Sequence, residues 1–249
     1  MKIVKTKEIV PKEVSEITDE KLIDFKDRAK LHNGTIPPFF VYIQDYAWNA
    51  FESHSNNIYK ESKHESQGIF IGNYYKDNFG EFVVATSYEE GSGNSKSVYV
   101  EMSEECLAKI SEKCQANGTL MLIWIHTHPG MGVFYSSIDY SCLKTNFYMP
   151  YQIGIVADIL NKKTKAYKII KSNDVEEFSD YKLFNDENNI LSSPYNEIKI
   201  IKESDRILYE IKNEIVKIQN DYNDLKKKLQ IISSQGKRPK KIKKRRRLL

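Results

Sequence analysis

The sequence predicts an α/β domain, a mixed β-sheet sandwiched by helices, followed by one amphipathic helix that forms a coiled coil. Three observations lead there. Short apolar runs alternate with helical segments between residues 39 and 172, an interleaving that builds α/β layers rather than an all-β or all-α domain. A three-four spacing of apolar residues runs without a slip from Leu208, the mark of a coiled-coil seam. Hydrophobic content of 40%, with 16 Tyr, 11 Phe and 2 Trp, is enough for a packed core.

The elements follow in order. Residues 1–38 are charged and read as an N-terminal extension, with a short helix after Thr18 and a break at Asn33-Gly34 and Pro37-Pro38. Residues 39–43 read as a strand. Residues 45–56 read as a helix with Trp48 and Phe51 on one side. Residues 66–75 and 81–87 are two strands joined by a polar turn. Residues 89–97 form a Gly/Ser-rich loop, and 98–100 a third strand. Ser103 is an N-cap for a helix through Gln115, and Gly118 suits its stop. Residues 120–125 are a buried strand. Residues 139–148 read as a helix ended by Pro150. Residues 151–159 and 166–170 read as a terminal hairpin.

The domain is therefore placed at 39–172, with 173–200 as a linker. In 201–233 the seam puts a positions at 208, 215, 222 and 229 and d positions at 211, 218, 225 and 232. Two readings stay open: a homodimer or partner helix, and one helix folded back on the domain. Residues 234–249 read as a disordered basic tail. Its 237–247 stretch holds nine Lys or Arg and no acid, so the net charge of +4 resides there and the rest is mildly acidic. Such a run suits weak nucleic-acid or phosphate contact, or a nuclear address in a eukaryote. No aromatics are interleaved, so base stacking is not indicated.

No stretch approaches the ~18 consecutive apolar residues of a membrane span, and no apolar signal core follows Met1. A soluble, cytoplasmic protein without membrane contact is expected. Three cysteines, odd in number, do not make a disulfide framework. Cys106 and Cys114 read as small buried residues on a helix.

The chemistry is concentrated in His126-Thr127-His128-Pro129, followed after six residues by Ser136-Ser137-Ile138-Asp139. An apolar strand leads into the first histidine, and alternate strand residues point the same way, so the two imidazoles aim at one place. Catalytic zinc takes three protein ligands from His, Asp, Glu or Cys and leaves the fourth position to water. His126, His128 and Asp139 supply such a set. Asp139 also stands where it would cap the helix after it. His32, His54 and His64 read as packing or surface residues.

These residues resemble the JAMM (MPN+) metalloprotease family, whose motif is His-x-His-Pro, six residues, then Ser-x-x-Asp. The family's upstream signature, a Glu followed by x-x-Gly-Ile/Leu-x-x-Gly, is matched by Glu65, Gly68, Ile69 and Gly72. The resemblance covers roughly residues 40–170. It implies an MPN fold of the cytidine-deaminase-like kind. It also implies one catalytic Zn²⁺ with a bound water, held by His126, His128 and Asp139. Glu65 would be the general base, and Ser136 would donate to the developing oxyanion, worth ~3–4 kcal/mol. Members cut peptide or isopeptide bonds after the C-terminus of ubiquitin or a ubiquitin-like protein. The modifier's tail would bind extended, between residues 89–97 and 145–149. RadC-like proteins share the His-x-His and Asp layout, so a nucleic-acid-associated role and a non-catalytic MPN scaffold stand as alternatives.

Overall fold

The computed structural model describes residues 9–32, 35–96, 99–170, 174–185 and 190–191. The expected coiled-coil helix (201–233) and basic tail (234–249) lie outside the described residues.

The elements are β1 (Lys12–Glu13), α1 (Arg28–Leu31), β2 (Phe39–Gln44), α2 (Asp45–Ser62), β3 (Gln67–Asp77), β4 (Gly80–Glu90), β5 (Gly93–Lys96), β6 (Tyr99–Met102), α3 (Glu104–Asn117), β7 (Leu120–Thr127), α4 (Ser137–Asn146), β8 (Ile153–Asp158), β9 (Lys163–Ile169), β10 (Val175–Phe178) and β11 (Tyr181–Phe184). A 3₁₀ stretch, Glu20–Asp27, leads into α1. The fold class is mixed α/β. The main sheet runs β10-β9-β8-β7-β3-β4-β2-β11, and β1 pairs with the far end of β3. β7 and β8 are parallel, while β3 is antiparallel to both β4 and β7. β5 and β6 form a separate hairpin.

Sequence explains most of these elements locally. β7 and β8 are central, and their apolar runs are buried from Leu122 to Ile125 and through all six residues of β8. Strands covered on both faces read as continuous apolar stretches. The β3–β4 turn is tied by Asp77 Oδ1, which accepts the N–H groups of Phe79 and Gly80. Gly80 sits at φ 137°, and an added Cβ would lie 2.2 Å from the Pro38 carbonyl oxygen, so only glycine fits. α3 starts on a Ser103 side-chain cap to the Cys106 N–H and stops on Gly118 in the left-handed region.

Helices cover both faces. On β3, Ile69 and Ile71 join Trp124, Val156, α3 (Cys106, Ile110, Cys114) and α4 (Leu143) in one core cluster. Phe70, which points the other way, meets Trp48 and Phe51 of α2 at ring distances of 6.0 and 6.2 Å. A second cluster gathers Ile17, Leu22 and Phe25 with Phe40, Tyr42, Phe82 and Phe184.

Two segments contribute more than their local pattern announces. Residues 12–31, read as an extension, pack on the sheet: Phe25 is fully buried and β1 adds to the β3 edge. Residues 175–184, read as linker, supply β10 and β11, and β11 pairs parallel to β2. Residues 93–96, read as loop, form the first strand of the hairpin. Asp45 does begin α2, which runs on to Ser62, beyond the expected end. α4 begins earlier than expected, at Ser137, and stops at Asn146. Cys106 and Cys114 are buried free thiols on α3. Among the described residues, no helix is long and apolar enough to cross a membrane.

Candidate metal centre

The site forms where three elements meet. The antiparallel register pairs Gln67 with His126, and continuing it by two residues sets Glu65 opposite His128. Two hydrogen bonds lock this corner: the Thr127 N–H donates to the Ser66 carbonyl, and the Ser66 N–H donates to Thr127 Oγ1, each at 2.9 Å. The Ser66 hydroxyl donates in turn to Ser55 Oγ on α2 at 2.7 Å. Strand alternation turns His126 and His128 to one side. Their rings are 4.9 Å apart, and His126 stacks on Trp124 at 4.5 Å.

Asp139 comes from the first turn of α4. Ser136 is the N-cap of that helix, and its hydroxyl oxygen accepts the Asp139 N–H at 3.3 Å. Asp139 reciprocates, with Oδ2 accepting the Ser136 N–H at 2.6 Å. This capping box leaves Asp139 Oδ1 to face His126 Nε2 at 3.3 Å. Asp139 Oδ2 is 3.7 Å from His128 Nε2. The helix is thus capped by Ser136, while Asp139 closes the box with Oδ2 and turns Oδ1 to His126.

His126, His128 and Asp139 are all buried, and one ligand atom from each lies within 4.8 Å of the others. Glu65 stands beside them, buried, with Oε1 3.8 Å from His128 Nε2. All five residues singled out in the sequence therefore converge on one corner of the sheet. Both nitrogens of His126 and Nδ1 of His128 are buried without a hydrogen-bond partner. Buried polar atoms are normally hydrogen-bonded. Two nitrogens and a carboxylate oxygen aimed at a common point form the donor set of a divalent transition metal, so the residues fit a metal ion.

The electrostatics agree. Burial, then the Asp139 charge, pushes the Glu65 carboxyl up to about 8. Burial, then His126, pushes the His128 imidazole down to about 4, against the opposing pull of Asp139 and Asp158. Burial would raise Asp139, but its interaction with His126 and its hydrogen bonding to Ser136 outweigh that and hold it at about 2. Near neutral pH the cluster thus keeps the His128 imidazole neutral and the Asp139 carboxylate ionised, the protonation states that metal ligation needs.

A cleft of about 270 Å³ opens beside Glu65, lined by His54, Ile58, Ser62 and His64 on one side and Gly91 and Gly93 on the other. Of residues 145–149, expected as its opposite wall, none lines it, and 145–147 line a different cleft with Met102, Leu107 and Ile138. Phe147 is in fact buried in the core against Trp124. His54 hydrogen-bonds the Tyr88 hydroxyl at 2.9 Å, and His32 that of Tyr42 at 2.6 Å.

Neither a family model nor a curated protein matches this chain. Among solved structures, it is similar to the solution structure of protein DSY2949 from Desulfitobacterium hafniense. That likeness has 15% sequence identity and a TM-score of 0.46, over 59% of this chain and 94% of the other.

Two residues near the centre were not singled out in the sequence. Tyr135 is buried with its ring 5.5 Å from that of His126, and its hydroxyl lies so close to Gly154 that a Cβ there would sit 1.9 Å away. Asp158 is buried at the end of β8 and binds the loop that follows His128. An aromatic before the Ser136 cap was a visible signal for Tyr135. Asp158 gave only the weak one of an acid closing an apolar strand.

Proposed function

We propose that the chain is a JAMM-type zinc peptidase or isopeptidase that hydrolyses the bond after the C-terminus of a ubiquitin-like modifier. The observation that carries this reading is the convergence of His126, His128 and Asp139 on one point with Glu65 3.8 Å from His128. Three ligands and an adjacent carboxylate are the minimum for metal-assisted hydrolysis with a general base.

Zinc, when bound, acidifies a water from a pKa of about 15.7 toward about 7 and polarises the carbonyl to be attacked. Glu65 accepts the proton of the attacking water and returns it to the leaving nitrogen as the C–N bond breaks. The products are a carboxylate and a free amine. The Ser136 oxygen accepts from the Asp139 amide, which leaves its own O–H to donate to the developing oxyanion, a stabilisation of ~3–4 kcal/mol. His54, His64, Gly91 and Gly93 border the cleft at Glu65, the approach by which an extended tail would reach the centre.

The test is Glu65→Gln. Turnover of ubiquitin-like proteins carrying a C-terminal amide-linked fluorophore should fall by at least ~10²-fold, with zinc content and fold retained. Undiminished turnover in that variant removes Glu65 as the base, and no turnover of any such substrate by the zinc-loaded wild type removes the reading.

A further inference from the structure

The turn that follows His128 out of β7 is held from the neighbouring strand β8. Asp158, the last residue of β8, is fully buried, and its carboxylate accepts five hydrogen bonds. Oδ1 takes the backbone N–H groups of Gly130 at 2.9 Å, Leu160 at 3.1 Å and Asn161 at 3.0 Å. Oδ2 takes the Gly132 N–H at 2.9 Å and Asn161 Nδ2 at 2.8 Å. Gly130 and Gly132 belong to the turn directly after His128 and Pro129. They sit at φ 78° and 90°, the left-handed region open to glycine. One residue earlier, the Ala157 carbonyl accepts the His128 N–H at 2.9 Å.

We propose that Asp158 is a positioning residue for the metal centre: by gripping the 129–132 turn it keeps His128 aimed at the point shared with His126 and Asp139. The physical reason is coupling. A buried carboxylate is tolerated only while its donors surround it, so the charge enforces the one turn conformation that presents both glycine amides. Partners outside the ligand set that orient a metal-binding histidine typically change metal affinity by ~10–100-fold. The role rests on metal binding by the three ligands, not on the reaction, so it can fail or hold whatever the substrate proves to be.

Zn²⁺ affinity of the full-length protein, read by competition with a chromophoric chelator, tests it. In Asp158→Asn the amide keeps one acceptor oxygen and turns a donor toward Gly132 or Asn161. Affinity should fall ~10–100-fold, and the Gly130 and Gly132 amides of the metal-free variant should exchange faster while the Thr127 amide stays protected. Asp77→Asn, which damages a buried ion pair at the opposite end of β3, controls for general loosening and should bind zinc as wild type does. Undiminished affinity in folded Asp158→Asn overturns the proposal, as does an equal loss in Asp77→Asn. Should Asp158→Asn not fold, Asn161→Ala, which removes a single donor from Oδ2, carries the test: a loss of about threefold supports the role, and none overturns it.

Discussion

The two ends of β3 bury charge in opposite ways. At its C-terminal end, Asp77 meets Arg28 in a two-pronged pair, Nε to Oδ2 at 2.6 Å and Nη2 to Oδ1 at 2.7 Å. The guanidinium lies 4.3 Å from the centre of the Phe82 ring. Just before its N-terminal end, Glu65 lies 3.8 Å from His128 and feels the Asp139 carboxylate, in a cluster with three buried ring nitrogens lacking hydrogen-bond partners. The first cluster pairs its opposite charges within the protein, with only Arg28 Nη1 buried and lacking a hydrogen-bond partner. The second has matched geometry but unmatched charge, because burial and Asp139 both act against an ionised Glu65. A paired buried charge ties the N-terminal segment to the sheet. Buried ring nitrogens gathered with a carboxylate form instead a group that could hold a metal ion.

Breaking the first cluster should cost the most stability. Asp77→Asn leaves the fully buried Arg28 without its anion and should destabilise by about 3–5 kcal/mol, seen in denaturant unfolding, with zinc affinity unmoved. His126→Ala is the counterpart at the other end. The ~10–16 kcal/mol of structural zinc-finger sites, shared among four ligands, gives about 2.5–4 kcal/mol for one, or roughly 10²–10³-fold in affinity. A titration calorimeter checks it. If the metal binds His126→Ala as tightly as wild type, the two ends do not differ as described.

The metal ligands were legible because they depend on short-range rules. Strand alternation aligns His126 with His128, and a serine three residues before an acid at a helix start places Asp139. Glu65 was legible only through the resemblance to the family's upstream signature, because the register that sets it across from His128 pairs strands distant in sequence. Residues 12–31 and 175–184 were not legible as parts of the sheet. Their short strands carry little pattern of their own, and what holds them is pairing with β3, β9 and β2, distant in sequence. Asp158 escaped notice for the same reason: two of its donors lie 26 and 28 residues upstream, in a loop whose glycines look like any turn.

A smaller effect sharpens the contrast at α4. Ser136→Ala removes the cap that orients Asp139 and should cost ~1 kcal/mol of stability. Zinc affinity should fall only slightly, because Asp139 Oδ1 still faces His126. Wild-type stability in this variant would show that the capping box contributes little.

The slightest effect expected is in the pH dependence of the metal-free protein, where the two clusters again part. Glu65 has a folded pKa near 8, above its usual 4.5. Its contribution to stability is therefore full below about 4.5 and is lost as pH rises through 8. His128 is shifted the other way, from 6.5 to about 4, so its contribution is full above 6.5 and is lost as pH falls through 4. Between about pH 4.5 and 6.5 the two slopes oppose each other, and wild-type melting temperature should vary little; from 6.5 to 8 only the Glu65 slope remains, and the melting temperature should fall. Glu65→Gln removes one slope. Its melting temperature should match wild type near pH 4.5 and exceed it by a few degrees at pH 8. Asp77 is already held below its ordinary value by Arg28 and the turn amides, so Asp77→Asn should lower the melting curve by a constant amount across the same range. A Glu65→Gln curve that ran parallel to wild type would mean that Glu65 is ionised without penalty, and that the centre does not need the charge of a cation.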